Sequence, residues 1–338
     1  MPGRFQVTLP ELATLLDGEP AYRARQVWAG LHAGREPEEM TELPAALRGR
    51  IAGLLGSDLD LVQEAISDRG DTAKWLWRLG DGAAVETVLM RYPDRATVCV
   101  STQAGCAMAC SFCATGQAGF TRHLTSGEIV EQVVRARRSA LPRRLSNVVF
   151  MGMGEPLANY GPVWTAVERI HAELGLSARR LTVSTVGLVP GIRRLAAEAL
   201  PVNLAVSLHA ANDAKRDELV PINRRWPLAA LIEACWAYVE AKGRRLSFEW
   251  AVIDGVNDKS ADAAELAAVA LPLAAHVNLI PLNPTPGYPV RGTSAAGVRD
   301  FRDRLRAAGV NVTVRRNRGT DIEAACGQLA AGAPVRLL

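Results

Sequence analysis

The chain has 338 residues, six of them cysteine, and it is 49% apolar and 22% charged with a net charge of +4. This is the balance of a soluble globular enzyme, and six cysteines in so long a chain exclude a disulfide-built scaffold. No apolar run is long enough to span a bilayer, and acids and prolines interrupt the N-terminus, so the chain reads as cytoplasmic with no membrane partner. The mild basic excess is compatible with a nucleic-acid partner without requiring one.

Residues 1 to about 60 read as helical. Tyr22, Val27, Trp28 and Leu31 fall roughly on one helical face, and Leu47, Ile51, Leu54 and Leu55 suggest a second, weakened by Gly49 and Gly53. Lys74–Leu79 and Ala84–Met90 read as two strands joined at Gly80-Asp81-Gly82. From Ala96 strands and helices alternate. Strands are expected at Thr97–Ser101, Asn147–Met151, Leu181–Thr185, Asn203–Ser207, Leu246–Ile253 and Val277–Pro281, with a late one at Asn311–Arg315. Thr125-Ser-Gly-Glu128 is a capping box that starts the helix carrying Ile129, Val130, Val133 and Val134. Six such units predict an α/β fold, an incomplete (β/α)6 barrel with a small helical N-terminal accessory domain. The expected division is a helical domain over 1–72, a β-hairpin extension over 73–91, the barrel over 92–321 and a C-terminal loop over 322–338.

In parallel α/β folds the chemistry sits at the carboxyl ends of the strands. Cys106, Gly154, Glu155, Ser184, Ser207, His209 and Asn283 all fall at or just beyond such ends. The first of them opens a C-x3-C-x2-C loop, Cys106, Cys110 and Cys113. Three close thiolates suit an iron–sulfur cubane with one iron left open, which can bind the amine and carboxylate of S-adenosylmethionine. A zinc site or inert buried thiols are the alternatives, although zinc usually wants four ligands in paired spacing.

The cysteine loop follows a strand, precedes a helix and carries Phe112 before its last cysteine, and so resembles the radical S-adenosylmethionine superfamily. The closer resemblance rests on Cys99-Val-Ser-Thr-Gln-Ala-Gly-Cys106, Gly152-Met-Gly-Glu-Pro-Leu157, Thr182-Val-Ser-Thr185, Ser207-Leu-His-Ala210, Val220-Pro-Ile-Asn223, Asn278-Leu-Ile-Pro281 and Arg318-Gly-Thr-Asp-Ile-Glu-Ala-Ala-Cys326-Gly-Gln-Leu329. In this order, over nearly the whole chain, these motifs resemble the RlmN family of RNA adenine C2-methyltransferases, whose sister family is Cfr.

That resemblance implies a [4Fe-4S] cluster on Cys106, Cys110 and Cys113, and two S-adenosylmethionine molecules per turnover. It implies that Cys326 carries the methyl group as S-methylcysteine. Cys99 is the matching resolving thiol, pairing transiently with Cys326, and Glu86 is the proton acceptor. Gly154, Glu155, Ser184, Ser207, Leu208, His209 and Asn283 match the cofactor shell. The implied substrates are 23S rRNA and the tRNA adenosine 3′ to the anticodon, with flavodoxin or ferredoxin as electron donor and a monomeric enzyme. Taken alone, Glu86 in an alternating strand reads equally as an outward-facing acid, and Cys99 and Cys326 as small buried hydrophobes. Cys235, beside Trp236, reads as packing. Arg23, Arg25, Arg137, Arg138, Arg143, Arg144, Arg315, Arg316 and Arg318 offer charge for RNA phosphates. The Arg135–Arg144 run reads more readily as a solvated helix end, and Trp28 more readily as core than as a stacking platform. A Cfr-like C8 methyltransferase and a non-catalytic iron–sulfur RNA-binding protein remain the competing readings.

Overall fold

Short runs of buried β-branched residues, each followed by an amphipathic helix, dictate a parallel sheet with helices packed outside it. The structure, a computed structural model, describes residues 1–285 and 287–332. Residues 333–338 of the expected C-terminal loop lie outside the described residues.

The chain begins with helices α1 (Leu9–Leu15), α2 (Ala21–His32) and α3 (Ala45–Leu54). An antiparallel section follows, made of β1 (Asp60–Ser67), β2 (Thr72–Arg78) and β3 (Ala84–Arg91). The expected helical stretch over 1–72 therefore ends before Asp60, and the extension has three strands rather than two. Next come β4 (Ala96–Cys99), β5 (Gln103–Gly105), α4 (Ala114–Ala118), β6 (Phe120–His123) and α5 (Ser126–Ala140). The alternating series continues with β7 (Leu145–Phe150), α6 (Tyr160–Ala172), β8 (Leu181–Thr185), α7 (Val189–Ala197) and β9 (Asn203–Ser207). It closes with α8 (Asp213–Leu219), α9 (Leu228–Lys242), β10 (Ser247–Val252), α10 (Ser260–Ala270), β11 (His276–Pro281), α11 (Ala295–Ala307) and β12 (Asn311–Val314).

One ten-stranded sheet runs β1-β2-β3-β4-β7-β8-β9-β10-β11-β12. Its strands are parallel from β4 onward, so the late strand extends the parallel run. Among the described residues β12 pairs with β11 and not with β4, which leaves the barrel incomplete. The small β5–β6 hairpin stands apart from this sheet. No helix among the described residues is long and apolar enough to cross a membrane.

Local chemistry places the elements. The Thr125 hydroxyl accepts from the Glu128 amide at 3.2 Å, and the Glu128 carboxylate accepts from the Thr125 amide at 2.8 Å. Such a cap is worth about 1 kcal/mol and fixes where α5 starts. The N-terminal helices share one continuous core with the barrel. Trp28 belongs to that core: its indole donates to Glu173 at 2.7 Å and Arg169 covers its ring, whereas Tyr22 stays 47% exposed. The Arg135–Arg144 run is largely spent on the protein itself. Arg138 pairs with Glu39, Arg137 donates to the Leu174 carbonyl, and Arg143 lies 3.8 Å from Asp71.

Where the N-terminal region meets α5, the Asp58 amide and the Ser57 hydroxyl both donate to the Glu131 carboxylate. The Asp58 carboxyl is thereby held among acids. Burial, Glu131 and Glu128 push it up to about 7. A carboxyl raised on folding contributes stability that is fully present below its ordinary value near pH ~4 and is lost as pH rises through its folded value. Asp58→Asn is expected to narrow the fall in melting temperature between pH 5.5 and 8. An unchanged fall would show that this carboxyl does not set it.

Candidate active site

The cysteine loop is framed by the β5–β6 hairpin. Gly105 closes the frame in the left-handed region at φ +74°, and a Cβ there would sit 2.0 Å from the Gly119 carbonyl oxygen. The Cys106 amide donates to that same Gly119 carbonyl at 2.8 Å. The loop then reaches Cys110, and Cys113 lies at the N-cap of α4. Cys110 and Phe112 pack against Leu219, Val220, Ala251 and Ile253, which fixes the loop over the carboxyl ends of β9 and β10.

All three cysteines line one cleft with about 990 Å³ of empty space, part of it open to solvent. Burial pushes Cys106 up to about 12 and Cys110 well above the ordinary thiol range. Such thiols ionise readily only against strong positive charge. Among the described residues no three His, Cys, Asp or Glu side chains converge on a single-ion site. The donor set, three soft sulfurs spread along the wall of a wide cleft, fits a cubane cluster better than a lone zinc ion.

The opposite wall comes from the strand ends. Gly152 and Gly154 line the cleft, but their lack of a side chain is demanded by the protein itself. A Cβ on Gly152 would meet Val100 backbone at 2.7 Å, and one on Gly154 would meet Gln103 at 2.6 Å. Glu155 is buried. Its carboxylate accepts from the amides of Leu157 at 3.0 Å and Val186 at 2.8 Å, and burial raises it to about 7. Ser184 donates to the Phe150 carbonyl at 2.6 Å. Ser207 and His209 line the cleft, with His209 in the left-handed region at φ +58°. Its Nδ1 accepts from the Ala251 amide at 2.9 Å, which assigns the proton to Nε2. Burial, with Arg216 nearby, lowers it to about 3, so the ring is neutral. Leu208, by contrast, is fully buried in the core and offers only its backbone.

Asn283, expected against the cofactor, lines the first cleft and is also bonded within the protein. Its amide nitrogen donates to the Cys326 carbonyl at 3.0 Å, and its amide oxygen accepts from Asn317 at 2.6 Å. The side chain thus ties the C-terminal loop to the strand ends. That loop is fastened twice more, by the Ala114 amide to Gly327 at 2.8 Å and by the Thr115 hydroxyl to the Leu329 carbonyl. Cys326 is exposed and lies in a wall shared with a second cleft. The second cleft is lined by Cys99, Met90, Tyr92, Arg316 and Arg318 among others. Burial first, then the neighbouring Cys326, raises the Cys99 thiol to about 12.

Glu86 is not the outward-facing acid that its strand allowed. It is 4% exposed and paired with Lys74 at 2.8 Å. Its carboxylate also accepts from the amides of Ala330 at 2.9 Å and Ala331 at 3.1 Å.

Two residues of the site, Glu249 and Arg216, went unread in the sequence, and a third, Arg315, was read only as charge for RNA phosphates. Glu249 lines the first cleft from β10, and Arg315 lines both clefts from the end of β12. Arg216 is wholly buried beneath the first cleft, donating to Asn223 at 2.7 Å and to the carbonyls of Leu208 and Val186. Burial lowers its guanidinium to about 10. An arginine next to an apolar motif such as Val220-Pro-Ile-Asn223, or an acid inside the buried strand Ser247–Val252, was the available signal.

The chain resembles known proteins over nearly its full length. The family model of the Radical SAM superfamily matches residues 100–267. A probable dual-specificity RNA methyltransferase RlmN from Frankia casuarinae is 57% identical over 330 residues, spanning 93% of this chain and 78% of that protein. Its counterpart from Chloroflexus aurantiacus is 52% identical over 345 residues, spanning 96% and 92%. The crystal structure of a radical SAM methyltransferase from Sphaerobacter thermophilus matches with a TM-score of 0.93 at 51% identity, over 98% of this chain and all of that one.

Gly105→Ala is expected to break the frame of the cysteine loop. The clash with backbone and the positive φ together cost about 1–3 kcal/mol. The variant should reconstitute with less iron and sulfide per chain than the parent. Full iron loading would show that the hairpin does not position the loop.

Proposed function

The chain belongs to the RlmN family within the radical SAM superfamily, and from that premise we propose that it methylates carbon 2 of adenosine through a methyl group carried on Cys326. The substrates we assign are an adenosine in the peptidyl-transferase centre of 23S rRNA and the adenosine 3′ to the anticodon in tRNA. The observation that carries this reading is the position of Cys326. It stands in the wall between a cleft lined by Cys106, Cys110 and Cys113 and a second cleft lined by Cys99.

Cys106, Cys110 and Cys113 hold the cluster, and Gly154, Glu155, Ser184, Ser207 and His209 surround S-adenosylmethionine. When bound, these groups supply one electron, a methyl group and the abstraction of a hydrogen atom, with two S-adenosylmethionine molecules used per RNA methyl. Neutral His209 presents an Nε2–H donor toward that space. Cys326 takes the methyl by displacement at its sulfur and presents the carbon to the base, bridging the two clefts. Carbon 2 of adenine is electron-poor, which rules out direct attack on a sulfonium and makes a sulfur-borne carrier useful. Glu86 removes the proton from that carbon. It becomes free to do so when Ala330 and Ala331 lift from its carboxylate. Cys99 then attacks the Cys326 sulfur, the carbon–sulfur bond to that sulfur breaks, the released carbon takes the Cys99 proton to complete the methyl group, the adduct's surplus electron passes to an external one-electron acceptor of ferredoxin or flavodoxin type, and a Cys99–Cys326 disulfide remains. Reduction of the disulfide by an external thiol resets the pair, and a small ferredoxin- or flavodoxin-type donor supplies the electron. We assign the protein to the cytoplasm and to a monomeric state.

Nucleosides from RNA treated with the reconstituted enzyme are expected to contain 2-methyladenosine by mass spectrometry, with rRNA and tRNA fragments assayed separately. Recovery of 8-methyladenosine alone would place the chain with Cfr chemistry instead. Anaerobic enzyme given dithionite, S-adenosylmethionine and RNA should also release 5′-deoxyadenosine, which a non-catalytic RNA-binding protein would not. Cys326→Ala is expected to abolish RNA methylation. Cys99→Ala is expected to leave RNA covalently attached to the protein through Cys326, seen as a shifted band that nuclease digestion collapses. Normal product release by Cys99→Ala would remove Cys99 from its role.

A further inference from the structure

Arg315 leaves the end of β12 and enters the wall between the two clefts. Its Nη1 lies 3.6 Å from Cys326 Sγ and 3.6 Å from Glu249 Oε2. The sulfur contact is a hydrogen bond of ordinary N–H···S length, whereas the oxygen lies beyond the ~2.7–2.9 Å of a settled charge-assisted N–H···O contact, so the guanidinium is bonded to Cys326 with Glu249 close by and unbonded. Glu249 is the fixed side of the arrangement. It is 4% exposed, and its Oε1 accepts from Asn278 at 2.8 Å and from Ser247 at 3.1 Å. Asn278 accepts in turn from Thr313 at 2.7 Å, so β10, β11 and β12 together hold the carboxylate still. Oε2, the oxygen facing Arg315, is buried and has no hydrogen-bond partner. An anionic oxygen in that state draws strongly on the nearest cation.

We propose that Arg315 is the positioning residue of the carrier cysteine: it holds the Cys326 sulfur in place while that sulfur is anionic, and passes to Glu249 once the sulfur is alkylated. This rests on the reading of Cys326 as the methyl carrier. The charge balance drives the exchange. The thiol proton goes to solvent, and a sulfur lone pair forms the new S–CH3 bond. The C–S bond of the methylsulfonium donor breaks, and the donor leaves as a neutral thioether. The charge on Cys326 Sγ falls from −1 to 0, its hold on the guanidinium vanishes, and the orphaned Oε2 wins the contact. The charge of Cys326 is the largest influence on the Arg315 guanidinium, raising it above the ordinary range, ahead of Glu249 and Cys99. Cys99 does not compete for the first methyl, because burial keeps it a neutral thiol. Arg315 acts on Cys99 too, but burial outweighs it there, so the two sulfurs differ by burial and not by the cation alone.

The test uses reagent charge as its probe. Full-length, cluster-reconstituted protein is treated anaerobically with iodoacetate or with iodoacetamide at one pH, and alkylation of Cys326 is read by peptide mass spectrometry. Both reagents form a thioether and release iodide, but only iodoacetate is anionic. A cation beside the sulfur favours iodoacetate. The iodoacetate-to-iodoacetamide ratio at Cys326 should fall about fivefold in Arg315→Gln, the effect of one charge about 4 Å away in water. It should persist in Arg315→Lys and rise in Glu249→Gln, where the competing carboxylate is gone. An identical ratio in parent and Arg315→Gln overturns the proposal. Should that variant fail to fold, an unchanged ratio in Glu249→Gln overturns it equally. A ratio that shifts as expected, in a protein whose Cys326 takes no methyl from S-adenosylmethionine, upholds Arg315 and refutes the carrier role alone.

Discussion

Burial keeps a thiol protonated, and Cys99, Cys106, Cys110 and Cys235 are all raised by it. What separates these sulfurs is the positive charge that each can meet. Cys106 and Cys110 share a wall with Cys113, where the cluster proposed above would supply that charge. Cys326 is exposed and has Arg315 beside it. Cys235 is sealed in the core against Leu231 and Tyr238 and has no cleft to serve. A single sequence thus holds its thiols in distinct surroundings, set by where the sheet puts each one.

The sheet does this by bringing distant segments to one edge. Ser184, Ser207 and Asn283 follow different parallel strands, yet they meet within one cleft. The antiparallel section adds a flank that a closed barrel has no room for. Through it, Glu86 and Lys74 reach the C-terminal segment, and Cys99 lies opposite Val88 at the junction of the two halves. Opening the barrel between β12 and β4 is what admits a second cleft next to the first.

Much of this architecture was legible because its signals are local. The capping box at Thr125 needs only two side chains and two amides, and the parallel strands are short apolar runs bounded by turns. β1 was missed because Asp60–Ser67 is exposed along most of its length and mixes Asp60, Gln63 and Glu64 with apolar residues, so no alternation shows. The β5–β6 hairpin was missed because its strands are three and four residues long, set by a glycine contact that no periodicity reports. Asn283 and Arg315 were placed in the right neighbourhood, but their partners within the protein were not legible. Which way a polar side chain turns depends on groups more than ten residues away: Cys326 and Asn317 for one, Glu249 for the other.

The C-terminal loop is anchored on the helix that the cysteine triplet begins. Cys113 stands at the N-cap position of α4, the next amide holds Gly327, and the next hydroxyl holds Leu329. Loop and cysteine turn are therefore tied at two points of one short helix, so a change that unwinds α4 also loosens the segment from Gly327 to Leu329. If the turn holds the cluster proposed above, loss of that cluster would loosen the seat of Cys326 as well.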